Sequence, residues 1–299
     1  MFVNPYQNSG KTDGSWLKGN FHTHAGTGEG TCGANSLESV VVAYKDANYG
    51  VLTISNHDIN TDMLEYANAN GLVMFNGYEY SRDAHMLCID CPEVCTGPHQ
   101  SAIDDCRSAG GFTILCHPNW QHKEYWPWQD IDFLTGYAGI EIMNGVIFRL
   151  NGSGLATDTW DYLLSKGKRV LGFGNDDFHR WHDLAKVYNV IYTQERDKNQ
   201  VKASILQGCF YVSTGLWMER MTLEEGILRV ELNTKNTYVD RYVFRFIGKD
   251  GIVLKEQTGA SGEYRMTGDE MYVRAEVISE HGAMLWTQPV YREEQFLNP

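Results

Sequence analysis

The sequence lacks the features that would assign it to a membrane or to nucleic acid. No apolar run in its 299 residues approaches the ~18 residues of a membrane-spanning helix, and no charged start precedes an apolar segment near Met1. Positive charge is also scarce, because 25 Lys and Arg stand against 38 Asp and Glu, for a formal net charge of -13. Domains that bind nucleic-acid backbones are usually basic. We therefore expect a cytoplasmic protein that binds neither membranes nor nucleic acids stably.

A disulfide framework is not expected either. The seven cysteines are odd in number, and a large intracellular chain need not pair them. Cys88, Cys91 and Cys95 form a C-x-x-C-x-x-x-C pattern that could hold zinc, but a fourth nearby thiolate is missing. The other interpretation is that these three are buried or loop thiols.

Short apolar segments alternate with helical patterns along the first two thirds of the chain. The predicted strands are 51–58, 72–80, 85–89, 112–118, 139–144, 169–178, 187–193 and 209–215, and the predicted helices are 36–49, 61–71, 99–110, 157–167 and 198–207. Such alternation indicates a parallel sheet covered by helices. The number of repeats favours an α/β barrel over an open sheet.

From about residue 220 the pattern changes. Strand-like segments at 227–234, 241–248, 251–256 and 271–279 follow one another without an intervening helical pattern. We therefore predict an α/β barrel domain at residues 1–219 and a small antiparallel β domain at residues 220–299.

Polar side chains occur at the ends of the predicted strands. In 19-GNFHTHAGTGEG-30, His22 and His24 are two residues apart, so on a strand they point to the same face and can converge on one ion. The other strand-end residues are His57 in 55-SNHD-58, Glu79 in 77-GYEY-80, His85, His117 in 115-LCHPNW-120, and Asp177 and His179 in 174-GNDDFH-179. The carboxyl ends of barrel strands meet at one face, so residues distant in sequence can form one cluster there. Six of the ten histidines are in this set, which predicts a metal centre.

In this order, the H-x-H, N-H-D, E, H, H-P-N-W and D-x-H motifs resemble those of the PHP family, the polymerase and histidinol phosphatase domains. The resemblance covers roughly residues 15 to 215. It implies a distorted (β/α)7 barrel that holds two or three divalent metals and usually hydrolyses phosphoesters. The implied ligands are His22, His24 and Asp177 for one metal, Glu29, His57 and His179 for a second, and Glu79, His85 and His117 for a third, with Glu79 bridging. Family members commonly carry aspartate or histidine near the position of Glu29.

The residue types fit this chemistry. Imidazole and carboxylate ligands together suit zinc, iron or manganese. Clustered cations polarise phosphoryl oxygens and lower the pKa of a bound water, so no protein nucleophile is required. We expect Glu79, Asp177 and His179 at the catalytic centre.

Three further residues are candidates for substrate binding. Arg149 and Arg180 follow predicted strands and could clamp a phosphate, since a guanidinium matches its oxygens, although a solvated surface role is also open for each. Asn119 follows His117 closely and could line the pocket.

The sequence favours a metal-dependent phosphoesterase that acts on a small phosphorylated metabolite or nucleotide. A metal-bound hydroxide attacks carbonyl carbon equally well, so an ester, amide or carbamate hydrolase is the second hypothesis. A non-catalytic metal-binding module is the third.

Overall fold

A computed structural model describes residues 1–9, 14–122, 125–235 and 241–296. The strands in these residues are β1 Phe2–Val3, β2 Ser15–Asn20, β3 Tyr49–Leu52, β4 Val73–Met74, β5 Gly77–Tyr80, β6 Met86–Ile89, β7 Phe112–Leu115, β8 Gly139–Asn144, β9 Leu171–Asn175, β10 Tyr188–Thr193, β11 Phe210–Ser213, β12 Met218–Glu224, β13 Ile227–Leu232, β14 Tyr242–Ile247, β15 Val253–Thr258, β16 Ser261–Arg265, β17 Tyr272–Ser279, β18 Met284–Thr287 and β19 Val290–Arg292. The α-helices are α1 Leu37–Asp46, α2 Leu64–Ala69, α3 His99–Ser108, α4 Trp128–Phe133, α5 Thr157–Ser165 and α6 Lys198–Leu206. Short 3-10 helices lie at Val146–Arg149, Trp181–Asp183, Lys249–Gly251 and Glu293–Gln295.

The described strands form three sheets. The largest has the order β1-β19-β17-β18-β11-β10-β2-β3-β4, with β14 pairing with β17 and β15 with β14, and the other two are β5-β6-β7-β8-β9 and β12-β13-β16. Parallel pairing is limited to β2-β3-β4 and β7-β8-β9, while the other ladders are antiparallel. The structure is therefore mixed α/β, and the predicted parallel sheet is found only in these two groups of three strands.

The two larger sheets approach each other at two seams without closing into a barrel. At one seam Thr23 pairs with Phe178, and at the other His57 pairs with Glu79, each as an isolated bridge. A closed barrel needs a continuous ladder of strands around its wall. The predicted closed (β/α)7 barrel is therefore not found in the described residues, although the same strands surround a common interior.

An aromatic core fills that interior below the polar strand ends. Phe21 contacts Phe75, Phe112 and Phe173, with ring centroids 6.0 to 6.3 Å apart. All four rings are buried, and burying each contributes roughly 1.5 to 3 kcal/mol. Since Phe21 directly precedes His22, this packing fixes the base from which the first histidine projects.

Five of the six α-helices in the described residues lie within segments that the sequence predicts as helical. Ser36 caps α1 by accepting a hydrogen bond from the N–H of Ser39 at 3.3 Å, and the helix buries Val40, Val41 and Tyr44. Strand β8 is buried at all six positions, as expected for a parallel strand covered on both faces. No helix among the residues described is both long and apolar enough to cross a membrane.

The C-terminal strands continue the main sheet. β18 pairs with β11 and β19 pairs with β1, so hydrogen bonds run across the predicted boundary between residues 219 and 220. That boundary falls within β12. Asp161 of α5 also forms a buried ion pair with Arg274 of β17, at 2.6 Å from Oδ2 to Nη2. The division into two domains stays a prediction.

Candidate metal centre

The carboxylate of Glu79 lies at the centre of five histidines. It projects from β5 and is 1% exposed. Its Oε1 lies 2.8 Å from His85 Nδ1, 3.2 Å from His22 Nε2 and 3.4 Å from His117 Nε2, and its Oε2 lies 3.0 Å from His57 Nδ1 and 3.2 Å from His24 Nε2. One carboxylate thus contacts imidazoles that flank strands of both larger sheets.

Asp177 forms the second carboxylate of the cluster. Its Oδ1 lies 3.2 Å from His22 Nε2, 3.3 Å from His24 Nε2 and 3.5 Å from His179 Nδ1. Both Asp177 and His117 have a positive φ, of 52° and 31°, directly after their strands. A non-glycine residue with a positive φ is uncommon, and here the turn redirects each side chain into the cluster.

Several buried atoms of the cluster lie close to one another but make no hydrogen bond of good geometry with any residue that the structure describes. They are His22 Nε2, His24 Nε2, His57 Nδ1, His117 Nδ1, Glu79 Oε2 and Asp177 Oδ1. Buried polar atoms are nearly always satisfied, so a group of orphans in one place needs an explanation. Ligands ~2.0 to 2.2 Å from one ion lie about 3.0 to 3.5 Å from each other. Apart from the 2.8 Å between Glu79 Oε1 and His85 Nδ1, the separations given for Glu79 and Asp177 fall in this range, so the donor set fits divalent cations.

The charges of the cluster compensate one another. Burial alone would raise the pKa of Glu79, but His22 and His85 hold it well below its usual value. Burial likewise opposes the charged form of His22, whose pKa Asp177 and Glu79 nevertheless raise well above the usual value. Burial also opposes the charged form of His57, but the neighbouring Cys32 and Glu79 raise its pKa to about 9. The carboxylates and imidazoles of the cluster therefore favour one another's charged forms.

Glu141 orients two of the histidines, and the sequence analysis did not identify it. Its Oε1 accepts a hydrogen bond from Nδ1 of His22 at 2.8 Å, and its Oε2 accepts the backbone N–H of His117 at 2.9 Å. Asn144 and Asn175 also donate to this carboxylate, at 2.8 and 3.0 Å. A carboxylate on Nδ1 fixes the tautomer that turns the Nε2 lone pair towards a metal. The available signal was a charged residue in the middle of the fully buried strand β8.

The neighbouring Asp176 has a different role from Asp177. Its carboxylate accepts the backbone N–H groups of Ala185, Lys186 and Val187 and the hydroxyl of Tyr44, at 2.7 to 3.0 Å. It therefore anchors the loop that follows β9. Of the two adjacent aspartates, the structure brings Asp177 to the cluster, as the sequence analysis expected.

The structure does not bring Glu29 to the cluster. Glu29 is exposed in a turn that the N–H of Thr31 closes on the carbonyl of Gly28, at 3.3 Å. Cys32, which the sequence analysis did not consider as a site residue, lies with its Sγ 3.3 Å from His24 Nδ1. Burial opposes ionisation of Cys32, but hydrogen bonds with His179, His24 and His57 lower the pKa of the thiol to about 4.

The three cysteines of the C-x-x-C-x-x-x-C pattern lie outside the candidate centre, and a fourth thiol, Cys106, interacts with Cys88 and Cys91. Among the described residues, the sets of converging metal-type ligands include Cys32 and Cys116 but not Cys88, Cys91 or Cys95. These three are free, buried thiols.

A cavity of about 220 Å³ opens above the cluster. Its walls are Cys32, His57, Glu79, His85, His117, Trp120, Val146, Ile147, Arg149, Leu150, Asp177, His179 and Arg180. A larger cavity of about 600 Å³ contains His99, whose Nε2 donates to the carbonyl of Ala84, and none of the clustered carboxylates. We therefore take the smaller cavity as the candidate site.

The three predicted substrate-binding residues have different positions. Arg149 and Arg180 both line the cavity. Arg149 is also held bidentately by Asp183, with Nε and Nη2 each 3.1 Å from a carboxylate oxygen. Asn119 does not line it. Its amide donates to Leu155 and Asp158 at 2.9 and 2.7 Å, so it ties the loop after β7 to the start of α5.

Comparison with solved structures identifies the fold. No protein-family model and no curated protein matches the chain. A two-domain protein from Bacteroides vulgatus, which contains a predicted PHP-like metal-dependent phosphoesterase, is similar over 88% of this chain and 91% of its own length. The TM-score is 0.55 at 15% sequence identity. The fold of the chain is PHP-like. The resemblance recognised from the ordered motifs is thus supported by the arrangement of the whole chain.

Two further similarities to solved structures are more limited. A candidate metal-dependent phosphoesterase from Bifidobacterium adolescentis matches 54% of this chain and 87% of its own, with a TM-score of 0.40 and 15% identity. The lesion-specific endonuclease PfuEndoQ from Pyrococcus furiosus matches 65% of this chain and 56% of its own, with a TM-score of 0.47 and 13% identity.

Proposed function

We propose that the chain is a metal-dependent phosphoesterase that hydrolyses a small phosphorylated metabolite or nucleotide. The observation that carries this proposal is the group of buried, unsatisfied imidazole nitrogens and carboxylate oxygens around Glu79. The PHP-like motifs in their expected order support it. In this proposal residues 1–219 supply the site, in the manner of a distorted PHP-type barrel, and residues 220–299 form an accessory β domain.

The cluster would hold two or three divalent ions, of zinc, iron or manganese. His22, His24 and Asp177 would bind one ion, and His85 and His117 would bind another, with Glu79 shared between them. His57 and His179 belong to a further position on the cavity side. Mixed imidazole and carboxylate ligands suit these metals better than magnesium or calcium.

Bound cations would supply Lewis acidity and a water of lowered pKa for attack on phosphorus. The chain's own groups then orient the reactants. Nδ1 of His179 lies 2.9 Å from the backbone carbonyl of Asp177, and a carbonyl only accepts, so Nδ1 carries the proton. The Nε2 atom of His179 is therefore the one available to a ligand or a proton at the cavity wall.

The cavity walls support an anionic substrate of modest size. Arg149 and Arg180 place two guanidinium groups at the wall, and a guanidinium carries five N–H groups that match phosphate oxygens. The pair with Asp183 uses Nε and Nη2 of Arg149, which leaves Nη1 outside that pair. Trp120, Ile147 and Leu150 provide an apolar wall for the remainder of the substrate.

The test combines metal analysis with a substrate screen. Protein purified without chelator is analysed for bound metals and then assayed against phosphomonoesters, phosphodiesters, carboxyl esters and carbamates. We expect two or three metal equivalents and turnover of a phosphoester that chelation abolishes. Turnover of only carboxyl esters or carbamates would replace the proposal with the second hydrolase hypothesis, and bound metal without any turnover would favour a binding module.

A further inference from the structure

The loop between His24 and α1 is folded so that it holds Cys32 over the histidines. The N–H of Gly26 donates to the carbonyl of Asn35 at 2.7 Å, and the Thr31 hydroxyl lies 2.7 to 2.8 Å from the carbonyls of Gly26 and Gly28. At Gly33 a Cβ would lie 2.6 Å from the Cα of Ala25, so only glycine allows this close return of the chain. These contacts place position 32 towards the cavity and position 29 at the outer turn.

The same loop is tied to the backbone of another cluster residue. The N–H of Ala34 donates to the carbonyl of His179 at 3.1 Å. The imidazole rings of His24 and His179 stack at 4.2 Å, and those of His24 and His57 lie 4.6 Å apart. One ligand atom from each of Cys32, His24, His57 and His179 lies within 4.8 Å of the others. The sulfur is therefore one corner of a compact set of donors.

His24 contacts the Cys32 sulfur through the ring nitrogen that does not face Glu79 and Asp177. Its Nε2 faces Glu79 and Asp177 at 3.2 and 3.3 Å, whereas its Nδ1 faces the Cys32 sulfur at 3.3 Å. With Nε2 directed to the first metal position, Nδ1–H donates to the sulfur and orients it. Cys32, His57 and His179 then remain as three donors that line the cavity.

We propose that Cys32 is a thiolate ligand of the metal position formed by His57 and His179, the place for which the sequence resemblance implied Glu29. This inference rests on the metal centre of the proposed function. A soft sulfur ligand favours zinc over manganese or magnesium at this one position, because thiolates select softer divalent ions. The metal centre would then carry two kinds of site, one with oxygen and nitrogen ligands only and one with sulfur.

Cobalt substitution tests the assignment without any substrate. Chelated protein is reloaded with Co²⁺, bound cobalt is counted, and the near-ultraviolet thiolate-to-cobalt charge-transfer band is recorded. We expect the wild type to show the band. Cys32→Ala should lose the band and should bind one cobalt equivalent fewer than the wild type. The matched control is Cys209→Ala, because Cys209 is a buried cysteine outside the cluster. This variant should retain the charge-transfer band and the full cobalt content. Cys32→Asp should regain the cobalt without the band and bind Mn²⁺ more tightly than the wild type.

A second measurement needs no variant. Cys32 is the exposed cysteine of the seven. Iodoacetamide should alkylate it in chelated wild-type protein and not in cobalt-loaded protein, as judged by mass spectrometry. Equal alkylation in both states would overturn the inference.

The outcomes separate this inference from the proposed function. Cobalt binding without a charge-transfer band would overturn the Cys32 assignment and leave the phosphoesterase proposal standing. A band that survives in Cys32→Ala but disappears in Cys116→Ala would assign the thiolate to Cys116. That result would also overturn the Cys32 assignment. A wild type that binds no cobalt would remove both the inference and the metal centre. Retention of the band with no phosphoester turnover would support the ligand and contradict the function.

Discussion

Replacing Glu79 by glutamine tests the multinuclear centre most directly. The substitution keeps the size of the side chain but removes the charge from a position 1% exposed and within 2.8 to 3.4 Å of five imidazole nitrogens. If Glu79 bridges cations, its negative charge offsets the repulsion between ions that lie only ~3.5 to 4 Å apart in such centres. Glutamine cannot do this, so metal occupancy and hydrolysis should fall together.

The size of the effect follows from the burial of the carboxylate. Removing one partner from a buried charge network typically costs about 3 to 5 kcal/mol. As a change in metal affinity, this corresponds to a loss of roughly 100-fold to several-thousand-fold. Bound metal is measured by competition with a chromophoric chelator, and turnover is measured on the phosphoester found in the screen at saturating and limiting metal.

The control is a histidine remote from the cluster. His281 is exposed and lies in the turn after β17, so His281→Ala should leave metal content and turnover nearly unchanged. Full metal content and normal turnover in Glu79→Gln would refute the bridging role. Loss of turnover with unchanged metal content would instead make Glu79 a group that acts on the substrate or its proton.

Further predictions concern neighbouring groups. Arg180→Ala should lower kcat/KM for the phosphoester roughly 10- to 150-fold, the worth of a charged hydrogen bond, without loss of bound metal. Glu141→Gln should weaken metal binding about 10- to 100-fold in a chelator competition, because the carboxylate orients a ligating imidazole. Asp161→Ala should lower the free energy of unfolding by about 3 to 5 kcal/mol in urea titrations, since it leaves Arg274 buried without its counter-charge. Because the pKa of His57 is raised to about 9, the protonated imidazole stabilises the folded, chelated protein. This stabilisation is complete below pH ~6.5 and is lost as the pH rises through about 9. Metal loading at pH 7 should therefore release protons, which calorimetry in buffers of different ionisation enthalpy detects.

Much of the fold follows from local patterns. The predicted strand 139–144 has the same bounds as β8, and the predicted helix at 36–49 contains α1. The predicted strand 72–80 is divided into β4 and β5, because the chain leaves the first sheet at Phe75 and Asn76 and enters the second sheet at Gly77. Gly77 passes so close to β6 that a Cβ there would lie 2.6 Å from the carbonyl oxygen of Cys88. An Asn-Gly pair is a turn signal, so this break could have been found in the sequence.

Short elements were harder to predict. Helix α4 has six residues and follows Pro127, so its helical period is too brief to recognise. Strand β12 lies across the predicted domain boundary, where the change of pattern was interpreted as a break rather than as a strand. The pairing of β18 with β11 joins residues that are 70 or more positions apart, and a local sequence pattern cannot predict such a pairing.

The site residues on strands could be predicted because strand ends give a direction as well as a position. Most of the histidines and carboxylates converge because parallel strands bring their carboxyl ends together, whereas His85 reaches the same place from the amino end of β6, which is antiparallel to β5. Loop residues have no such constraint. Glu29 and Cys32 are three positions apart on one loop, and only the tertiary contacts of Gly26, Gly33 and Ala34 decide which of them faces the histidines.

The interrupted sheet and the candidate centre occupy the same place. Each seam between the two larger sheets is crossed by a single backbone bridge, and the residues of these bridges are His57 with Glu79 and Thr23 with Phe178. The first pair also meets through its side chains, at 3.0 Å from Nδ1 to Oε2, and the second pair is flanked by His22, His24, Asp177 and His179. A continuous ladder would direct these side chains alternately inward and outward at fixed spacing. Where the ladder stops, side chains from both sheets can turn into one gap, so the feature that prevents closure of the barrel is also the one that lets the ligands converge.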